Sequence, residues 1–120
     1  MISCVVVDDD RDILDAFCDY LQRSGLEILA TGTNGFDAVC LFEQFKPDVI
    51  FIDLEMPKFD GFYAVKNIRN SYPAAKIIVV TADKDTDASY LLDKLHVTQI
   101  MYKPFNMHMV KEIVTIALLS

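Results

Sequence analysis

The stretch D-V-I-F-I-D at residues 48–53 runs directly into L-E-M-P-K-F-D-G at residues 54–61, and together they decide the fold of the chain. Residues 49–52 are apolar on both faces of an extended backbone, which is typical of a strand buried inside a parallel sheet. Turn residues from Pro57 to Gly61 end that strand. Asp53 is therefore predicted at the carboxyl end of a buried strand, where open α/β sheets bind their ligands.

Strand-like and helix-like segments alternate five times along the chain. Strands are predicted at residues 2–7, 27–33, 48–52, 76–81 and 99–103. Helices are predicted from the acidic turn at residues 8–10 to residue 24, and over residues 35–45, 62–71, 85–95 and 107–119, the last capped by Asn106. This alternation indicates parallel β-α-β units, and therefore an α/β fold with a doubly wound sheet. A length of 120 residues fits one domain, residues 1–120.

Helical spacing assigns apolar side chains to the core. In the first helix the inward set is Ile13, Leu14, Phe17 and Leu21. In the second helix it is Phe36, Val39, Cys40, Leu41 and Phe42. In the last helix it is Val110, Ile113, Val114, Ala117 and Leu118. Three further apolar residues of the last helix, Met109, Ile116 and Leu119, then face solvent either as isolated exposed side chains or as a surface for a partner or a second copy.

Composition narrows the classes of function. The net charge of −7 and the pI of about 4.6 argue against direct binding of nucleic acid. No apolar run approaches the roughly 20 residues of a membrane span, and no secretion signal precedes the first strand, so we expect a cytoplasmic protein without membrane insertion. Cys4, Cys18 and Cys40 are widely spaced and are expected to be reduced, small, buried apolar side chains.

Chemically reactive residues lie at the carboxyl ends of four of the five predicted strands. The carboxyl ends of strands one, three, four and five lie on one edge of a doubly wound parallel sheet. The residues at these ends are Asp8, Asp9, Asp53, Thr81 and Lys103. This set of carboxylates, a hydroxyl and an amine suits phosphoryl transfer. The carboxylates are ligands for Mg²⁺, and Lys103 and the ion would neutralise phosphoryl oxygens while Asp53 acts as the nucleophile.

Four motifs in the right order resemble those of response-regulator receiver domains, closest in form to the stand-alone single-domain type. They are V-V-V-D-D at residues 5–9, D-L-E-M-P-K-F-D-G at 53–61, V-T-A at 80–82 and K-P-F at 103–105. The resemblance implies a flavodoxin-like (βα)₅ fold with strand order 2-1-3-4-5. It also implies a two-component phosphorelay protein that takes its phosphoryl group from a histidine kinase and catalyses its own phosphorylation and autodephosphorylation.

The resemblance implies a role for each site residue. Asp53 would be the phosphoacceptor, Asp9 a direct ligand of Mg²⁺ or Mn²⁺, and Asp8 a ligand acting largely through water. The backbone carbonyl of Glu55 would complete the protein's share of the coordination. Thr81 would move to hydrogen-bond the phosphoryl group, and Lys103 would pair with another phosphoryl oxygen.

Other positions support the site or depart from the family pattern. The resemblance implies a cis Lys103-Pro104 bond, and Pro57 and Gly61 shape the loop after Asp53, with Gly61 expected at positive φ. Ile100 stands where the family's switch residue is aromatic, and Tyr102 is not expected to replace it. His96-Val97 replaces the usual Gly-Ala, while Glu55 and Asp83 occupy positions that tune the lifetime of the phosphate.

The resemblance places output on the fourth helix, fifth strand and last helix. With no output domain expected, this surface would bind a downstream protein, a phosphotransfer protein or a second copy in a homodimer. Three alternatives remain open from the residues. One is a degenerate receiver that binds partners without phosphorylation, and another is an aspartate-nucleophile phosphohydrolase using Asp8 and Asp10. A flavin-binding module fits less well, because the first loop is acidic rather than rich in Gly, Ser and Thr.

Overall fold

The computed structural model describes residues 1–82 and 86–120, without the side chains of Thr86 and Met107. The strands are β1 (Ser3–Val7), β2 (Glu27–Gly32), β3 (Val49–Asp53), β4 (Ile77–Thr81) and β5 (Gln99–Tyr102). The helices are α1 (Arg11–Arg23), α2 (Gly35–Phe45), α3 (Gly61–Ser71), α4 (Thr86–Lys94) and α5 (Met107–Leu119). All ten predicted elements are confirmed. The bounds of α2 and α5 match the prediction, and those of the other elements differ by one to three residues at an end. Asp85, predicted as the first residue of the fourth helix, lies outside the described residues.

The five strands form one parallel sheet in the order β2-β1-β3-β4-β5, as predicted. β3 is central and is buried along its whole length, which explains its unbroken apolar sequence. Asp53 pairs with Val80, and Thr81 pairs with Tyr102, so the ends of β3, β4 and β5 lie side by side. The register therefore brings the predicted site residues of these strands to one edge of the sheet.

Two apolar layers enclose the sheet. On one face α1 and α5 pack through Leu14, Phe17, Leu21, Val110, Val114 and Ala117. On the other face α2, α3 and α4 pack through Ala38, Phe42, Ala64, Val65, Ile68 and Leu92. Covering both faces with helices gives the strands the dry environment that parallel sheets require. Within the described parts of the chain, none of the helices combines the length and hydropathy needed to cross a bilayer.

Some predicted core positions are wrong. Phe36 is 51% exposed and Cys40 is also exposed, because α2 begins at Gly35 and turns Ala38 and Phe42 to the sheet. Ile13 in α1 is 45% exposed, because Leu14 and Phe17 occupy the face of the helix that packs on the sheet. Of the three thiols, which were all expected in the core, only Cys4 is fully buried, and Cys18 is partly exposed.

The helix ends are determined by local chemistry. α1 and α4 both end in a Schellman motif, in which two amides after the helix donate to carbonyls of its last turn. After α1, Gly25 N donates to Gln22 O at 3.0 Å and Gly25 has a φ of 91°. After α4, His96 N donates to Asp93 O at 3.0 Å and His96 has a φ of 58°. His96 therefore adopts the left-handed conformation that favours glycine.

Arg69 in α3 connects the two loops at the amino ends of β4 and β5. Its Nη1 donates to Pro73 O at 2.8 Å and to Ala75 O at 2.7 Å. Its Nη2 donates to His96 O at 2.8 Å. Partial burial lowers the pKa of the Arg69 guanidinium. One side chain thus holds the loop before β4 against the loop before β5.

Candidate functional site

Asp8 and Asp9 come directly after β1 and begin the acidic side of the site. Asp8 is buried, its amide donates to Gly32 O at 3.1 Å, and its Oδ1 accepts from Asp10 N at 3.0 Å. The exposed Asp10 is the N-cap of α1, and its carboxylate accepts from the amides of Asp12 and Ile13. Since an N-cap carboxylate is already engaged with helix amides, Asp10 is a structural residue in this arrangement.

Asp53 ends β3 and is only 5% exposed. The chain leaves it through Leu54, whose amide donates to Val80 O at 3.0 Å, and α3 then begins at Gly61. Asp60 is the N-cap of α3 and accepts from Tyr63 N at 3.0 Å. The loop is therefore short and firmly attached at both ends.

The prediction that Gly61 has a positive φ is wrong. Among the described residues, Gly25 is the glycine with positive φ, and the left-handed positions of this loop are Lys58 and Phe59. Gly61 is needed for space instead, because a Cβ there would lie 2.7 Å from Leu54 Cα and 2.8 Å from Asp53 O. The first residue of α3 therefore touches the backbone of the candidate phosphoacceptor. Pro57 lies exposed in the same loop.

Lys103 follows β5 and reaches back to the acids. Its amide donates to Thr81 O at 2.9 Å, and the Lys103-Pro104 bond is cis, as predicted. Its Nζ lies 3.4 Å from Asp53 Oδ1 and 3.7 Å from Asp8 Oδ2. The lysine is thus shared between two buried carboxylates instead of forming one tight ion pair.

The acids form a cluster with a deficit of positive charge. Ligand oxygens of Asp8, Asp9 and Asp53 lie within 4.8 Å of one another. The pKa of Asp53 is raised to about 6, first by burial and then by the charge of Asp8, although Lys103 opposes the shift. Burial also raises the pKa of Asp8, against the opposing effects of the Asp10 amide and Lys103. The partly buried carboxylates thus lack enough neutralising charge.

This donor set fits a hard divalent cation. Carboxylate oxygens are the ligands that Mg²⁺ prefers, and the ion normally keeps several waters beside one or two carboxylates. Asp9 is exposed, whereas Asp8 and Asp53 are buried, so the cluster opens to solvent on one side. The predicted role of the Glu55 carbonyl as a further ligand stays a prediction.

The side chain of Glu55 has a contact that the sequence did not reveal. Thr81 is 1% exposed, and its Oγ1 donates to Glu55 Oε1 over 2.7 Å. Glu55 lies two residues after Asp53, and Thr81 ends the adjacent strand. The sequence indicated only a tuning position at Glu55. Asp83, the other proposed tuning position, lies outside the described residues.

On β5, Ile100 and Tyr102 lie toward α4. Ile100 is partly buried against the cluster that contains Leu92 of α4. The hydroxyls of Tyr102 and Ser89 share a long hydrogen bond of 3.2 Å. Tyr102 is also the sheet partner of Thr81. An aromatic side chain thus connects β5 to α4 one residue before Lys103, while the predicted switch position is aliphatic.

Comparison with known proteins gives a consistent result. Residues 4–115 match the family model of the response regulator receiver domain. The probable C4-dicarboxylate response regulator DctR of Halalkalibacterium halodurans is 30% identical over 96% of this chain and 50% of its own length. The chain thus spans about half of that relative. The chemotaxis protein CheY of Listeria monocytogenes is 32% identical over 68% of this chain and 69% of its own.

Solved structures agree with the sequence matches. The response regulator protein TrrA of Thermotoga maritima, crystallised in complex with Mg²⁺ and beryllium fluoride, superposes with a TM-score of 0.87. It is 31% identical, and the superposition covers 98% of this chain and 99% of that one. Fold and sequence therefore point to the same family.

Proposed function

Because the chain belongs to the response regulator receiver domain family, we propose that Asp53 accepts a phosphoryl group from the phosphohistidine of a histidine kinase. The observation that carries this proposal is the arrangement around Asp53. A buried carboxylate lies beside one ammonium group and two further carboxylates. That arrangement suits a nucleophile whose charge must be balanced before a phosphoryl anion approaches it.

In this reaction an Asp53 oxygen forms a bond to phosphorus while the bond from phosphorus to the histidine nitrogen breaks. The electron pair of the broken bond stays with the imidazole. Mg²⁺, held by Asp8, Asp9 and Asp53, would supply positive charge to the phosphoryl oxygens. Lys103 would donate from Nζ to a phosphoryl oxygen, for which its position between Asp53 and Asp8 is well suited.

A small phosphodonor tests this function without a known kinase. We expect intact-mass analysis to show one added phosphoryl group on the wild type when Mg²⁺ is present, and none in Asp53→Asn. Asp10→Asn is the matched control, because asparagine is also a good N-cap and Asp10 serves α1. If the wild type stays unmodified with Mg²⁺ present, the chain is a receiver that binds partners without phosphorylation.

We propose that the phosphorylated state is transmitted through α4, β5 and α5 to a downstream protein, a phosphotransfer protein or a second copy. Tyr102 supports this route, because it pairs with Thr81 on β4 and contacts Ser89 on α4. Tyr102→Phe should still be phosphorylated but should show smaller phosphorylation-dependent shifts in the amide NMR signals of α4. Tyr20→Phe is the control, because it removes a tyrosine hydroxyl from α1 on the other face of the sheet. Equal shifts in all three proteins would reject Tyr102 as the connection.

A further inference from the structure

We propose that Glu55 is a positioning residue: its carboxylate holds the Thr81 hydroxyl in the resting protein and competes with the phosphoryl group for it. The inference rests on the proposed function, since it concerns how the same site responds to a phosphoryl group on Asp53. It gives the side chain of Glu55 a role distinct from that of its backbone carbonyl.

The resting contact is strong in geometric terms. The distance of 2.7 Å from Thr81 Oγ1 to Glu55 Oε1 is the usual length of a well-formed hydroxyl hydrogen bond, and an ionised carboxylate acceptor strengthens such a bond. Thr81 is almost completely buried, so water does not readily replace the carboxylate as its acceptor. The contact also joins the loop that follows Asp53 to the end of β4, whose Val80 is the sheet partner of Asp53.

Competition follows from the chemistry of threonine. A hydroxyl group carries one proton to donate, and so it makes one good donated hydrogen bond at a time. Thr81 comes directly after Val80, the sheet partner of Asp53, so a phosphoryl group on Asp53 would be a second acceptor close to the same hydroxyl. Thr81 must leave Glu55 before it donates to that group. Glu55 therefore makes the resting state more stable and the phosphoryl-bound state harder to reach.

Glu55 also acts through its charge. Its carboxylate repels that of Asp53, which is one of the smaller causes of the raised pKa of Asp53. Removing Glu55 would therefore favour an anionic ligand even without any effect on Thr81. A useful experiment must separate the lost repulsion from the released hydroxyl.

A double-mutant cycle makes this separation. The probe is beryllium fluoride with Mg²⁺, the pair with which the relative TrrA was crystallised, titrated into wild type, Glu55→Ala, Thr81→Val and the double variant. The Thr81→Val background has no hydroxyl to release. In that background the effect of Glu55→Ala on affinity therefore comes from the lost carboxylate charge alone. We expect Glu55→Ala to tighten the apparent dissociation constant about threefold to tenfold more in the wild-type background than in Thr81→Val. Glu43→Ala, an exposed glutamate of α2, should leave affinity unchanged.

A second measurement needs no ligand. Scalar couplings of the Thr81 methyl group report its χ1 rotamer in the resting protein, and Glu55→Ala should change them while Glu43→Ala should not. Equal fold-changes in the two backgrounds, together with an unchanged Thr81 rotamer, would overturn the role of Glu55 and leave phosphorylation of Asp53 intact. A wild type that binds no probe and accepts no phosphoryl group would overturn the proposed function itself.

Discussion

Lys103 Nζ lies 3.4 Å from Asp53 Oδ1, although the two residues are 50 positions apart in the sequence. This distance exceeds the usual 2.7–3.2 Å of an N–H to oxygen hydrogen bond, and Asp8 Oδ2 lies 3.7 Å from the same ammonium group. The lysine therefore neutralises neither carboxylate fully. Its ammonium group therefore remains available to an incoming phosphoryl oxygen.

Lys103→Met should slow the labelling of Asp53 by a small phosphodonor about 10²-fold, because one donor to the developing charge is lost. A time course of intact mass at saturating Mg²⁺ measures this rate. Lys66→Met, which removes an exposed charge from α3, is the control and should label at the wild-type rate. A Lys103→Met protein that labels as fast as the wild type would show that its ammonium group takes no part in transfer.

Asp53→Asn should stabilise the protein at neutral pH when Mg²⁺ is absent. Asp53 has a pKa of about 6 in the folded state against an ordinary value of 3.8, so the folded protein holds this proton more tightly. The stability that this group contributes is therefore lost as pH rises from about 4 to about 6. We expect the variant to match the wild type near pH 3.5 and to exceed it by about 1–3 kcal/mol at pH 7.

Urea unfolding across this pH range measures the difference. Adding Mg²⁺ at pH 7 should raise the unfolding free energy of the wild type more than that of Asp53→Asn, since the ion would neutralise the ionised cluster. A gap between the two proteins that stays constant from pH 3.5 to pH 7 contradicts the raised pKa of Asp53.

Gly61→Ala should lower the unfolding free energy by about 1–3 kcal/mol and slow phosphorylation as well. The new methyl group would clash with the backbone of Leu54 and Asp53. Backbone atoms cannot relieve such a clash by changing rotamer, as a flexible side chain can. Denaturation and the phosphodonor assay check the two effects separately. Retention of both stability and rate would mean that the loop after β3 adjusts without disturbing Asp53.

His96→Gly should raise the unfolding free energy by about 0.5–1 kcal/mol, because glycine adopts the φ of 58° without a Cβ penalty. The Arg69 contact would remain, since it is made to the His96 carbonyl. Gly25→Ala makes the reciprocal comparison at the end of α1, where nothing lies within 4 Å of the added Cβ. Gly25→Ala should lower the unfolding free energy by about 1 kcal/mol through backbone strain alone. Thermal unfolding compares both variants with the wild type, and opposite signs are expected.

Features that follow from hydrophobic periodicity or from the order of parallel strands could be predicted from the sequence. The apolar run before Asp53 predicted a central strand, and the carboxyl ends of parallel strands predicted that Asp8, Asp53 and Lys103 would meet. These features follow from periodicity and topology, which leave few alternatives.

Features that depend on side-chain rotamers or close packing could not be read in the same way. The bond from Thr81 to Glu55 requires one rotamer at each residue, and no spacing rule selects that pair. Gly61 could be recognised as special, but the sequence does not distinguish a need for positive φ from a need for space. Phe36 was misassigned because α2 carries apolar residues around most of its circumference, so the hydrophobic pattern does not define one inner face.

Arg69 holds the amino ends of β4 and β5 in a fixed position relative to each other. Its guanidinium spans the two loops that precede these strands, whereas the opposite ends of the strands carry Thr81 and Lys103. The carboxyl end of α4 is held next to His96. A small displacement at the reactive edge would therefore rotate α4 about that end rather than translate the whole helix. A partner that binds near the amino end of α4 would then sense a larger movement than one that binds near His96.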